Sequence, residues 1–307
     1  MSKENYRRLG DYIREVDVRN RNLEVKELVG LTINKAFIPS VANTIGTDLS
    51  NYKVIRKEQF ACSLMQVSRD GKMPVAMFEG ECAIMSPAYP MFEVVDKNIL
   101  LPQYLMMWFS RNEFDREASF YAVGGVRGSL TWQDFCDMTL PIPPIEQQRK
   151  IVAQYEAASR KIRLNERMIT RLEETAQTLY HKMFVDGIDK ENLPEGWRME
   201  TLGEVANILD YKRRPLSAAQ RALIKGEYPY FGAMSIIDYI NDYIFDGVFL
   251  LFAEDGYVTD KDGHPNLQYI YGKFWLNNHA HIMQGNDIVS TEYLYLALKE
   301  SIVIHLV

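Results

Sequence analysis

The stretch from Leu140 to Phe184 constrains this chain most. It opens on Pro141-Ile142-Pro143-Pro144, which is stiff and extended, because proline fixes φ and restricts the residue before it. From Ile145 to Phe184 there is neither Gly nor Pro. Apolar residues recur in alternating threes and fours at Tyr155, Ala158, Ile162, Ile169, Leu172, Ala176, Leu179 and Met183, with Asn165 as the one polar member. That is an a/d seam kept for about four heptads, and it predicts a helix able to pair with another helix. A single seam Asn lowers stability but fixes register and partner number. About 38 helical residues rise about 57 Å, too long for the core of one compact domain.

The rest of the chain falls on either side of this rod. Residues 1–140 read as a first block of short strands. Gly30–Ile33, Tyr52–Ile55, Ala61–Val67, Val75–Phe78, Cys82–Met85 and Met91–Val95 are β-branched or apolar runs between Gly, Pro, Asn and Asp. Tyr6–Ile13 predicts a short helical turn, and Leu101–Phe109 a helix with Pro102 in its first turn. Thr131-Trp-Gln-Asp134 has the spacing of a capping box. Residues 141–185 form the spacer helix, and 186–196, rich in Gly, Asp and Pro, a linker. Residues 197–307 form a second block, with strand-like runs at Tyr228–Gly232, Ile236–Ile240, Val248–Ala253, Tyr269–Tyr271 and Phe274–Trp275, and a late helix over Thr291–Leu298. The fold class is therefore α+β: two mostly β domains joined by a long coiled-coil-forming helix.

The blocks repeat one another. Leu9-Gly10-Asp11 matches Leu202-Gly203-Glu204, and Gln103-Tyr104-Leu105 matches Glu292-Tyr293-Leu294, both at an offset of about 190 residues. That offset suits a duplicated domain rather than a solenoid. The Gly-rich loop at Gly124–Ser129, the prolyl stretch and the long helix have no second copy, so the second block is expected to be incomplete at its C-terminal end.

Composition excludes several classes. No apolar run approaches a membrane span, and the N-terminus lacks the apolar core of a secretory signal. Cys62, Cys82 and Cys136 lack metal-type spacing and suit reduced thiols in a cytoplasmic protein. A net charge of −6 argues mildly against a nucleic-acid binder but says nothing of local patches.

A globular block, the run Ser129–Phe135 leading into Leu140–Val152, a long helix, and a second block carrying Gly196–Glu204, Tyr228–Gly232 and Phe274–Ile282 together resemble the specificity subunit of type I restriction-modification systems. The resemblance covers nearly the whole chain. It implies two target recognition domains, each reading one half of a split double-stranded DNA sequence. It also implies a spacer that docks methyltransferase subunits, with a restriction subunit completing the assembly. Family members carry a second long helix packed on the first. The resemblance therefore implies that the seam of Tyr155, Ile162, Asn165, Ile169, Leu172, Leu179 and Met183 is met by a second copy or a separate fragment, or that the chain is a rearranged form.

Candidate DNA contacts are Lys212, Arg213 and Arg214, the densest basic cluster of the second block, with Tyr211 beside them. In the first block they are Arg127, on a Gly-rich loop, and Lys35, Arg69 and Lys72, on loops or strand ends. A solvated loop or an ordinary surface charge is the competing reading for each, and Lys53 reads as a surface charge too. His279 and His281 lack nearby ligands at metal spacing, and Asp260-Lys-Asp262-Gly263 reads as a turn, so no metal is expected. No Walker A, HExxH, GxSxG or Gly-rich cofactor loop is present, and Ile142-Pro-Pro-Ile145 is not a methyltransferase motif. The chain is expected to be non-catalytic and to hold no cofactor itself, with S-adenosylmethionine and ATP on its partners. A scaffold without specific DNA binding, or a divergent nuclease or methyltransferase, stays open.

Overall fold

The computed structural model describes residues 6–40, 46–65, 67–123 and 128–301. The chain divides into two compact units, Met1–Leu164 and Asn165–Val307. The division falls inside one helix.

The first unit carries β1 (Tyr6–Arg8), β2 (Ile13–Glu15), β3 (Val29–Leu31), β4 (Phe37–Pro39), β5 (Lys53–Arg56), β6 (Phe60–Cys62), α1 (Val67–Asp70), β7 (Val75–Met77), β8 (Cys82–Met85) and β9 (Met91–Val94). Then follow α2 (Pro102–Phe109), α3 (Asn112–Ala122), α4 (Trp132–Asp137), β10 (Thr139–Pro141) and the start of α5 (Ile145–Phe184). Its main sheet has the order β2-β9-β6-β7, all antiparallel. β5 pairs with β8, β3 with β4, and β1 with β10. The hairpin β3–β4 runs alongside β8 through a parallel bridge, Leu28 to Ile84. Against the sheet lies an aromatic core of Phe60, Phe92, Phe109, Phe114 and Phe135, each no more than 1% exposed. Phe60 and Phe92 stack at 5.0 Å, and Phe109 meets Phe114 at 4.9 Å. Burying one such ring stabilises by roughly 1.5–3 kcal/mol, so these five carry much of the unit.

The second unit carries α6 (Leu202–Val205), β11 (Ala206–Ile208), α7 (Ala218–Leu223), β12 (Lys225–Phe231), β13 (Ile236–Ile240), β14 (Phe245–Ala253), β15 (Leu267–Leu276), β16 (Ala280–Gly285) and α8 (Thr291–Lys299). One six-stranded sheet has the order β11-β16-β14-β15-β12-β13. The topology of the first unit recurs. Leaving aside the β1–β10 pair, β11 pairs with β16 as β2 does with β9, β16 with β14 as β9 does with β6, and the β12–β13 hairpin lies parallel to β15 as β3–β4 does to β8, here through Tyr230 and Trp275. The short sequence matches thus mark a duplicated fold.

The long helix spans Ile145–Phe184, the limits that the absence of Gly and Pro predicts. Its first part is held in the first unit by Gln148, fully buried. The Leu101 amide donates to Gln148 Oε1 at 2.9 Å, while Gln148 Nε2 donates to the carbonyls of Ile99 and Pro143, both at 2.8 Å. Its last part packs in the second unit on α8. Gln177 Nε2 donates to the Leu296 carbonyl, Lys299 reaches Glu173 at 3.2 Å, and Tyr180 and Phe184 meet Tyr293.

Several local expectations change. The helical turn expected over residues 6–13 is confined to a 3-10 turn at Leu9–Asp11, because Tyr6–Arg8 is drawn into pairing with Thr139–Pro141 and β2 begins at Ile13. The apolar run from Ala61 stops at Cys62, and Val67 begins α1 with its side chain fully buried. The two runs around Tyr269 and Trp275 are one strand, β15, which continues through Gly272 at φ +90°. The elements α3 and β4 lack a sequence signal strong enough to expect, whereas α7 is marked by the spacing of Ser217 and Gln220. The capping box at Thr131 and Asp134 forms, and equivalent boxes start α6 and α7. Among the described residues no helix is long and apolar enough to cross a membrane.

Candidate nucleic-acid interface

In the second unit, three connections meet at one end of the sheet: the turn after β11, the β14–β15 hairpin and the segment before β16. The Leu209 amide donates to the Ile282 carbonyl at 2.9 Å, and the Glu254 amide to the His279 carbonyl at 3.0 Å. At their junction sits Arg213. Its guanidinium donates to Glu254 Oε2 at 2.6 Å and to the Ala280 carbonyl at 2.8 Å, and it lies 3.6 Å from the Asp210 carboxylate. Asp210 in turn accepts from the Ile282 amide at 2.8 Å and pairs with His281 Nδ1 at 2.5 Å. One charged cluster therefore ties all three connections together.

This cluster sorts the predicted basic residues. Arg213, with its side chain only 15% exposed, is an internal clamp rather than an outward contact, since its donors are taken by protein acceptors. Lys212 and Arg214 are exposed on either side of it. Tyr211 is 78% exposed, with the Lys212 ammonium 5.7 Å from its ring centre. The turn thus presents a flat aromatic face and two cations on a rigid base. Such groups stack on bases and bond phosphates.

In the first unit the candidates separate. Arg69 and Lys72 are exposed on the β6–β7 connection, Arg69 bonded to the adjacent Asp70. Arg127 lies outside the described residues. Lys35 turns inward: its ammonium pairs with Asp115 at 2.8 Å and donates to the Phe109 carbonyl, and its side chain is 8% exposed. Burial pushes the Lys35 pKa down against the pull of Asp115. Lys35 joins the β3–β4 hairpin to the α2–α3 layer and offers nothing to an external phosphate. Lys53 is not a surface charge either; it is buried and donates to the Tyr89 carbonyl at 3.1 Å.

The seam of α5 is laid open. Tyr155, Ile162, Ile169, Leu172, Leu179 and Met183 are all more than half exposed, and Asn165 is exposed among them. Within each unit, the helix is held by other faces.

The histidines find carboxylates from distant parts of the chain, His279 with Asp255 and His281 with Asp210, which sequence spacing does not reveal. Asp260, Asp262 and His264 bring their ligand atoms within 4.8 Å of one another. Yet Asp260 accepts from the amides of Asp262 and His264 and from His264 Nδ1, which is the bonding of a turn.

Two copies of one small α+β module, each ending its sheet in clustered loops, define a duplicated recognition-type protein. The family model of the type I restriction modification DNA specificity domain matches residues 42–174 and again 194–306. The chain belongs to that family. A Haemophilus influenzae protein named by inference as a type I restriction enzyme specificity subunit, S.HindORF215P, is 39% identical over 107 residues. The aligned stretch is 34% of this chain and spans only 27% of that relative. Among solved structures, the type I restriction-modification S subunit from M. genitalium matches with a TM-score of 0.54 at 16% identity, covering 97% of this chain and 78% of that one. The HsdS subunit from Thermoanaerobacter tengcongensis matches with a TM-score of 0.40 at 18% identity, over 97% of this chain and 81% of that one. At 16% identity the likeness to the M. genitalium subunit is one of fold.

Proposed function

We propose that this chain is the non-catalytic, sequence-reading subunit of a type I restriction-modification assembly, each unit contacting one half of a split DNA target. The observation that carries this reading is the double match to a DNA specificity domain, one match for each copy of the repeated fold. In the second unit the contacts are Lys212, Arg214 and Tyr211, positioned by Arg213; in the first, Arg69 and Lys72 contribute. Methyl transfer and cleavage, with S-adenosylmethionine and ATP, belong to methyltransferase and restriction partners. The work is done in the cytoplasm, which suits three free cysteines.

The exposed seam of α5 pairs with a second helix, from another copy of this chain or from a separate fragment. Support comes from its spacing and from the apolar area it leaves in water. The acidic net charge is compatible with DNA contact, since a total for the whole chain does not set the local charge of the turn that exposes Lys212 and Arg214.

Electrophoretic shift of the full chain on duplex DNA across a salt series tests the reading. Affinity is expected to fall steeply with salt, since each neutralised phosphate contributes about 0.9 to the logarithmic slope. Salt-independent or absent binding would favour a scaffold without DNA contact.

A further inference from the structure

We propose that the hairpin between β14 and β15 is a second DNA-contacting arm of the second unit, and that Tyr257 on it contacts a base alongside Tyr211. This rests on the DNA reading above and names contact residues that a search for basic clusters passes over.

Tyr257 is 82% exposed, more than Tyr211, yet its backbone is braced from the other side of the hairpin. The Asn266 side-chain amide donates to the Tyr257 carbonyl, and the Asn266 backbone amide donates to the Val258 carbonyl at 2.9 Å. Beyond them Thr259 bridges the buried Pro265, and the Asp260 amide donates to the His264 carbonyl at 2.9 Å. The tip closes on the Asp260 carboxylate, which accepts from the amides of Asp262 at 2.8 Å and His264 at 3.0 Å. The hairpin is thus a built arm, and a ring carried on it has lost part of its freedom before any contact is made. Tyrosine suits that place, since its ring offers a large rigid contact face with few rotatable bonds.

The root of the arm is fixed to the turn that carries Tyr211. Glu254, three residues before Tyr257, takes the Arg213 guanidinium at 2.6 Å, and Arg213 stands two residues after Tyr211. Asp255 pairs with His279 Nδ1, so the arm is also tied to the segment before β16. Two exposed tyrosines on separate connections are therefore joined through one salt bridge. Charge allows the arm to approach DNA. Four acidic side chains lie between Glu254 and Asn266, and unpaired they would repel a phosphate backbone. Three of them are engaged: Glu254 by Arg213, Asp255 by His279, and Asp260 by His264 and the two amides. Lys261, the one Lys or Arg of the arm, is exposed at its tip. Aromatic rings meet bases through their π-faces, and a lysine meets phosphate as a point charge.

The test uses the full chain, a library of random DNA duplexes, and the variants Tyr257→Ala, Tyr257→Phe, Tyr211→Ala and Lys261→Gln. Tyr271→Ala is the control, since Tyr271 is 81% exposed but stands within β15, opposite Val248, rather than on the arm. Tyr257→Ala should weaken binding to the selected duplexes by at least about fivefold and leave the salt slope unchanged, because no charge is lost. Tyr257→Phe should keep wild-type affinity, because the ring remains. Lys261→Gln should lower the slope by about one. Tyr257→Ala and Tyr211→Ala should blur the same block of the selected sequence, and Tyr271→Ala should behave as wild type. Thermal melts matching wild type, expected for exposed side chains, show that the variants are folded. Wild-type affinity and selection in Tyr257→Ala would overturn the proposal. A loss shared by Tyr271→Ala, or blurring of the other block, would overturn it too. If Tyr257→Ala binds DNA as wild type does but no longer retains the methyltransferase subunit, the arm is a protein contact instead. A wild type that selects nothing and binds without salt dependence would overturn the DNA reading itself.

Discussion

Lys35 and Arg213 look alike in sequence, each a cation in a loop, and both turn out to be committed inward. Lys35 is locked to Asp115, with both side chains about one-tenth exposed or less. Removing one partner of a buried pair leaves the other charge uncompensated, at a cost of roughly 3–5 kcal/mol. Lys35→Met is expected to destabilise the chain by about that much, measured by denaturant unfolding. Lys35→Met with Asp115→Asn should recover more than half of the loss, because Asn can still accept the Met73 amide bond that Asp115 takes at 3.1 Å. In the second unit, Asp238 is gripped first by Lys225, then by the Tyr239 amide and Arg221, and its carboxyl is held at about 2. The folded pKa lies below the ordinary 3.8, so this contribution is present in full above about pH 4 and is lost as pH falls toward 2. Asp238→Asn should flatten the stability profile across that window and lower stability at neutral pH, where the contribution of the carboxylate is fully present. Neither inward commitment was legible in the sequence, because the partners Asp115, Glu254 and Ala280 lie far along the chain. What sequence does show is charge density, which marks the 211–214 turn but not which of its cations faces outward.

Among the elements, α5 was the most legible, since forty residues without a helix breaker and with a heptad seam admit little else. What anchors it was not: Gln148 is an ordinary polar residue in sequence and a fully buried bracket in the fold. Gln148→Leu would strip a partner from the Leu101 amide and the Ile99 and Pro143 carbonyls. Each group left unsatisfied costs about 1–3 kcal/mol, so the first unit's melting temperature should drop markedly. The seam predicts association. The full chain should sediment as a dimer or larger species, and Ile169→Glu with Leu172→Glu should shift it to monomer with both units still folded. A wild-type monomer whose central helix is protected from hydrogen exchange would contradict the pairing. The short strands were read with ragged ends, since three- to four-residue elements are decided by tertiary pairing more than by local preference.

At the scale of the whole chain, the duplication was visible through two short matches, while its physical content lay in the ladders. The pairing of β2 with β9 recurs in β11 with β16, and the same parallel hairpin recurs in both units. Two copies of one reader, with different exposed loop side chains (Arg69 and Lys72 in the first unit, Tyr211, Lys212 and Arg214 in the second), predict a target with two unlike halves. The bases themselves are not legible, because loops of the same geometry accept many side chains. The most direct measurement is to co-express the chain with its methyltransferase subunit and map methylated adenines across a genome. The account predicts one motif of two different blocks separated by a fixed gap. No methylation, or a single contiguous palindrome, would contradict it.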